Sequence, residues 1–366
     1  MTEVAELARS LVAIDSVNPD LIPGAQGEAE VARFVAGWLE DAGLDVTLED
    51  AAPGRPNVVG VARGSGGGRT LLLNAHTDTV GTDAMEQPRE ARLDEGRLYG
   101  RGSYDMKGAL AAAMVTAKRA LGLGLRGDVV LAAVVDEEVG SVGTEALVRR
   151  WRADGAIVAE PTEEQLCVAH KGFVAFEVVT RGRASHGSRP DLGIDAIARM
   201  GPVLVAIEEL DHALAERGSH PLVGRASIHA SLIEGGQEYS SYPAECRVNA
   251  ERRTLPGESA EDVERELRGL LAGAMDAELT IAFSRNPYEA AADEPFVDAV
   301  RRHAGGNGVA GAAYWADSAL LAEAGIPTVL YGPRGEGAHA AVEWVDLESL
   351  ERCAEVYTAV AADFCS

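Results

Sequence analysis

Three short apolar runs in this chain each lead, within a few residues, to side chains that can hold a metal ion, and this restricts the folds open to it. The run 71–74 leads to His76, 131–135 to Glu137 and Glu138, and 157–159 to Glu160. Runs this short and this apolar read as buried strands, because a half-exposed strand would alternate apolar with polar residues. Open α/β sheets gather their ligands at the carboxyl ends of such strands. Two further phrases offer ligands, Asp105 in GRGSYDMKG and His339 in GEGAHAAVEW.

The surrounding pattern supports a layered α/β domain. Helical spacing runs through 4–14 and 28–39, with Gly43 as a helix stop. Strands are expected at 57–62, 70–74, 128–135 and 156–159, and 107–121 reads as a small-residue helix packed on a sheet. Near Gly172 the pattern changes. Residues 173–180 alternate, a long helix follows at 195–216, then strands at 226–233 and 246–252, a helix at 260–274 and a strand at 278–283. That order is the one of a ferredoxin-like α+β unit. The layered pattern resumes with helices at 295–303 and 317–324, a strand at 328–331 and a last helix from 346. The expected organisation is a discontinuous catalytic domain, 1–171 and 287–366, with a smaller domain, 172–286, inserted in it.

Composition narrows the partners. With 33 basic against 58 acidic residues, the net charge of −25 argues against nucleic acid and against an acidic membrane surface, both of which need a basic patch. An anionic substrate stays open, since single arginines act locally. The four cysteines show no paired spacing and suit a reducing compartment. The first residues carry acids and no basic stretch ahead of an apolar core, unlike a signal peptide, and no run reaches the roughly 18 apolar residues that span a bilayer. A cytoplasmic protein is expected.

Taken singly, each ligand phrase has a plain structural explanation. A lone histidine after a strand is more often a core residue, although Asp78, two residues on, could accept its second N–H and fix its tautomer. Asp105 before a helix reads as an N-cap or as a carboxylate bridging two cations. Asp136-Glu137-Glu138 reads as a solvated loop, or as a site where the repulsion of three acids is compensated. Glu160 and His339 are weak signals alone. Together, two imidazoles and three carboxylates form a donor set for a pair of Zn-like ions. Glu137 cannot easily share a metal with Glu138, so it is left to move a proton, and the combination suits hydrolysis. A nucleotide site fits less well, because GRGSYDMKG has neither GxGxxG spacing nor GK[ST].

The phrases HTDTV, GRGSYDMKG, DEEVGS, AEPT and GAHAAVEW stand in the order of the M20 metallopeptidase signatures and cover nearly the whole chain. The chain resembles that family, which holds acetylornithine deacetylase, succinyl-diaminopimelate desuccinylase, aminoacylase-1 and glutamate carboxypeptidase. The resemblance implies a zinc-exopeptidase-like α/β/α domain with an inserted lid and dimerisation domain. It implies one zinc on His76, Asp105 and Glu160, and a second on Asp105, Glu138 and His339, with cobalt or manganese as substitutes. Asp78 would orient His76, and Glu137 would be general base and acid. His186, in RASHGSRP, would reach the partner subunit's site and stabilise the oxyanion, which makes a homodimer the expected state. Arg253 would hold the substrate's α-carboxylate, and Arg252 would be structural or solvated. Ser240 stands where many relatives carry asparagine, and Lys171 matches a phrase at the domain junction with a hinge or ion-pair role. The implied activity is hydrolysis of an N-acyl amino acid, as in acetylornithine deacetylase. The alternatives are cleavage of dipeptides or of a C-terminal residue, and an inactive scaffold that would lack a ligand or the base.

Overall fold

All six residues of the strand Leu71–His76 are buried, and it has parallel partners along both edges. Val129–Val134 pairs with it along one edge and Gly155–Val158 along the other. The computed structural model describes residues 1–273, 277–291, 293–305 and 308–366. It divides into two units, Met1–Val168 with Ala290–Ala310 and Ala316–Ser366, and Ala169–Glu289 with Gly311–Trp315. The segment 311–315, placed by the sequence pattern in the last catalytic stretch, clusters with the second unit.

In the first unit the sheet is mixed. Thr328–Leu330 extends it in parallel beyond Gly155–Val158, while Arg55–Ala62 and then Asp45–Ala52 continue the other side antiparallel. Side chains alternate between the two faces along each strand. Leu72, Val130, Ala132, Val134, Ala156 and Val158 therefore share one apolar cluster, with Leu147 and Leu321 from helices Val142–Arg150 and Ser318–Glu323. Among the helices of this unit, Gly108–Ala120 is almost wholly buried. Its alanine-rich surface lets Leu347–Phe364 approach closely enough for the Thr116 hydroxyl to reach the Ala354 carbonyl at 3.3 Å. The result is the expected α/β/α layering, with three ligand-bearing strands side by side. Neighbouring strands lie about 4.8 Å apart, so groups leaving their carboxyl ends converge without long loops.

Several elements were not legible beforehand. The strand Asp45–Ala52, the helix Val142–Arg150 and a small sheet of Gly335–Glu336, Trp344–Asp346, Arg97–Tyr99 and Arg92–Asp94 all escaped the pattern. Strands of two or three residues carry no periodicity to detect. That small sheet fixes both flanks of the loop that carries His339.

The second unit contains strands Gly172–Arg181, Ser227–Gly235, Glu245–Thr254 and Ala277–Arg285, with helices Ala196–Glu216 and Ala260–Leu271. In space the strands run second, third, first, fourth, all antiparallel to their neighbours. This is the ferredoxin-like arrangement. Its core joins Val174, Phe176 and Val178 to Met200, Val203 and Ile207. The expected helix over 260–274 is seen to Leu271, and residue 274 lies outside the described residues. Among the described residues no helix is long and apolar enough to cross a membrane, and all four cysteines are buried and free.

One glycine ties the sheet to the acidic turn that follows it. A Cβ on Gly143 would lie 2.4 Å from the Val135 oxygen and 2.5 Å from its nitrogen, both main-chain atoms. Asn57 staples the same place, its amide donating to the Gly143 carbonyl at 2.8 Å and accepting from the Val135 N–H at 3.1 Å. Gly143→Ala should therefore lower unfolding free energy by about 1–3 kcal/mol, the cost of overpacking. A urea midpoint equal to that of the parent would contradict this.

Candidate metal centre

His76 closes its strand and is 1% exposed. Its Nδ1 lies 2.9 Å from the main-chain oxygen of Asp78 and 3.6 Å from that residue's carboxylate. A carbonyl can only accept, so Nδ1 carries the proton and Nε2 faces inward. The carboxylate of Asp78 has another task. It accepts the main-chain N–H groups of Glu137 at 3.1 Å and Glu138 at 3.2 Å, which ties the acidic turn to the histidine.

Asp105 stands between two imidazoles. Its Oδ1 lies 3.1 Å from His76 Nε2, and its Oδ2 lies 3.4 Å from His339 Nε2. Each imidazole meets a second carboxylate. His76 Nε2 is 3.9 Å from Glu160 Oε1, and His339 Nε2 is 2.9 Å from Glu138 Oε2. Donor atoms of His76, Asp105 and Glu138 lie within 4.8 Å of one another, as do those of His76, Glu137 and Glu160. The structure thus brings together all five expected ligands and Glu137 from distant parts of the chain.

The turn that carries Asp105 is held by Glu343, whose side chain is fully buried. One carboxylate accepts from the Gly102, Tyr104 and Asp105 main-chain nitrogens at 3.0, 2.9 and 3.0 Å and from Arg101 Nη1 at 2.7 Å. The guanidinium offsets the buried charge, and charge-assisted bonds of this kind are among the strong ones. Asp317 was also missed. It is buried, accepts from the Thr144 hydroxyl at 2.6 Å, and its charge adds to the field at Glu137 and Glu160. Burial pushes its own carboxyl up to about 6. Sequence spacing marks 317 only as a helix start, and nothing in the GAHAAVEW phrase distinguishes Glu343 from a solvated acid.

The electrostatics are those of crowded carboxylates. Burial, reinforced by the charge of Glu160, raises the Glu137 carboxyl well above its ordinary value. Burial likewise raises Glu160. Burial works against ionisation of Asp105 too, but its bonds to His339 and His76 outweigh it and hold the carboxyl below the usual range. Bonds to Asp105 and Glu138 push His339 up to about 10. Glu160 Oε1 is buried without a hydrogen-bond partner, and such an orphaned oxygen is costly unless a cation meets it. A set of imidazole nitrogens and carboxylate oxygens around it, with no thiolate, fits divalent cations of the zinc, cobalt or manganese kind.

The remaining expected residues belong to the second unit. His186 lies in the two-residue strand Ser185–His186 paired with Ser241–Tyr242, exposed, with Nδ1 2.8 Å from the Ser188 hydroxyl. Ser240 contributes its carbonyl to the Gly187 N–H at 2.6 Å. Arg253 projects from Glu245–Thr254 over the ring of Phe173, 5.3 Å from its centroid, with Nε donating to Glu251 at 2.6 Å. Neighbouring Arg252 is buried and bonded to Glu258 and Glu266 at 2.7 and 3.4 Å, a structural role. Burial lowers the Lys171 ammonium, and the charge of Arg253 adds to the effect.

Known proteins are similar to this chain in sequence and in fold. An acetylornithine deacetylase of Myxococcus xanthus is 34% identical across 97% of this chain and 96% of its own length. An N-formyl-4-amino-5-aminomethyl-2-methylpyrimidine deformylase of Halalkalibacterium halodurans is 30% identical, over 95% of this chain and 91% of its own. In fold, the chain matches an M20 family metallo-carboxypeptidase of Sulfolobus solfataricus with a TM-score of 0.81 at 18% identity, over 99% of both chains. The model of peptidase family M20/M25/M40 matches residues 72–363. On these similarities this chain belongs to that family and is a hydrolase of amide bonds.

Proposed function

We propose that the protein is a dinuclear zinc amidohydrolase that removes the acyl group from an N-acyl amino acid, in the manner of acetylornithine deacetylase. The observation that carries this reading is the placement of Asp105, with one oxygen toward His76 and the other toward His339. His76, Asp105 and Glu160 would hold one ion, and Asp105, Glu138 and His339 the other. When bound, such a pair supplies Lewis acidity to the substrate carbonyl and to the attacking water.

Glu137 handles the proton. It takes one from water as the oxygen adds to the carbonyl carbon, then gives it to the amine nitrogen as the C–N bond breaks. Its burial raises its affinity for a proton, the direction such a shuttle needs near neutral pH. Asp78 keeps this turn and His76 in register. Arg253 binds the α-carboxylate through its planar fork, which Glu251 orients. The names of the two curated relatives, a deacetylase and a deformylase, support an acyl-removing activity. The metallo-carboxypeptidase neighbour favours a second reading, release of a C-terminal residue by the same attack.

We further infer a homodimer through the second unit, with His186 donated to the partner's oxyanion. Ser227–Gly235 is an edge strand whose last seven residues are exposed, with Leu232 at 63% and Ile233 at 54%. An edge of that length invites pairing with a second chain. Four buried free thiols suit the cytoplasm.

Four outcomes test these points. Against a panel of N-acyl amino acids and dipeptides, Glu137→Ala should lower kcat about 10²–10⁴-fold while retaining its metal content. Full turnover in that variant would remove Glu137 from the proton path, and release from dipeptides alone would select the peptidase reading. Dialysis against a chelator should abolish activity, with Zn²⁺ or Co²⁺ restoring it. Elemental analysis of His339→Ala should then find one ion per chain in place of two. Ile233→Asp should give a monomer in light scattering and cost about 10²-fold or more in kcat, as for loss of an oxyanion donor; a parent protein already monomeric would refute the dimer.

A further inference from the structure

Three consecutive acids, Asp136-Glu137-Glu138, follow an apolar strand, and only the last two face the candidate centre. Asp136 is 2% exposed and takes a φ of +70°, a backbone state that non-glycine residues seldom adopt without support. The support is visible on both its main chain and its side chain. Its carbonyl accepts the Gly140 and Ser141 N–H groups at 3.1 and 2.5 Å. Its Oδ1 lies 2.9 Å from Arg55 Nη1 and accepts from Asn18 Nδ2 at 3.0 Å. The same Asn18 amide donates to Asp78 Oδ2 at 2.8 Å, and Asp78 in turn holds the Glu137 and Glu138 nitrogens.

Arg55 itself is fixed on its far side. Its side chain is 10% exposed, its Nε donates to Glu28 Oε2 at 3.0 Å, Nη2 donates to the other Glu28 oxygen, and Nη1 reaches Asp20 at 2.6 Å. Glu28 has no exposed side-chain surface. One guanidinium therefore neutralises two buried carboxylates in different parts of the fold, and its planar fork sets the direction of both. A lysine at this place would keep the charge and lose the geometry.

We propose that Arg55 and Asn18 are positioning residues for hydrolysis: acting through Asp136 and Asp78, they set the turn that aims Glu138 at a metal and Glu137 at the reacting water. The part concerning Glu137 rests on its reading as the base, and the part concerning Glu138 does not. Arg55 and Asn18 bond to Asp136 and Asp78, neither of which is a candidate metal ligand. Groups bonded directly to metal ligands commonly change metal affinity or activity by about 10–100-fold, and displacing the whole turn that carries Glu137 and Glu138 acts on the ligand itself.

The test uses Arg55→Lys and Asn18→Ala in the full chain, with three readouts. Zinc titration into the metal-free protein should show one of two sites weakened at least 10-fold, as expected for a displaced ligand turn. Steady-state kinetics on the best substrate of the panel should show kcat lowered by a similar factor with KM unchanged. Unfolding midpoints separate positioning from general damage. A lowered midpoint with parental zinc affinity and kcat in both variants would overturn the proposal and leave a structural salt bridge. If Arg55→Lys does not fold, Asn18→Ala decides, since it removes the bridging amide and keeps Arg55. Failure of the base reading shows up separately, as full activity in Glu137→Ala. The zinc titration is independent of that result.

Discussion

The site depends on one carboxylate facing two ways. For Asp105 to offer one oxygen to His76 and the other to His339, the plane of its carboxyl must be fixed, and a free aspartate side chain at a loop would not be. Glu343 supplies the constraint by gathering three main-chain N–H groups of one turn, those of Gly102, Tyr104 and Asp105, onto one buried anion. Burying that anion would cost several kcal/mol if it were unpaired, and Arg101 prevents this. The loop bearing His339 is fixed by the same residue range, because Glu343 lies four positions beyond it and Trp344–Asp346 pairs with Arg97–Tyr99. Both halves of the bridge are thus referred to one point in the fold.

The other candidate ligands need no such device. His76, Glu138 and Glu160 leave three adjacent strands at the same end of the sheet, so the hydrogen-bond register of the strands sets their spacing. In these strands the parallel ladder of main-chain hydrogen bonds fixes that register, and a slip of one residue would turn every side chain, the candidate ligands included, to the opposite face. This division explains where the chain spends its structure. Strands place the ligands that can be placed by strands, and a buried Glu–Arg pair places those that must come from loops.

The same division decides what could be read from residues alone. The strands showed themselves as apolar runs and the α+β unit by its alternation from Phe173 onward, because both signals are periodic. The five ligand phrases were legible because each joins a ligand type to the end of a run or to a glycine turn. Glu343, Asp317, Asn18 and Arg55 were not, because a buried acid or arginine looks in sequence like a solvated one until its partner is known. Those partners stand far away, at separations such as Arg101 with Glu343 and Arg55 with Asp136. The short strands beside His339 were invisible for want of length. The expected contact of Asp78 with His76 came out on the main-chain oxygen, a group that every residue possesses and no sequence pattern can single out.

Neighbouring acids in one turn cannot serve one purpose, and the arrangement here turns that limit to use. Glu138 is drawn toward His339 at 2.9 Å, while the Glu137 oxygen groups with His76 and Glu160. A ligand carboxylate has its basicity spent on the cation it holds. A base must keep its own, and burial beside other acids preserves it, because each negative neighbour raises the cost of ionising it. On the proposed reading of Glu137 as the base, the crowding that would destabilise an ordinary protein interior is what would let it accept and return a proton. Cations held between the carboxylates, as proposed, would offset the rest of that repulsion, so metal binding and the stability of this end of the sheet would be one equilibrium.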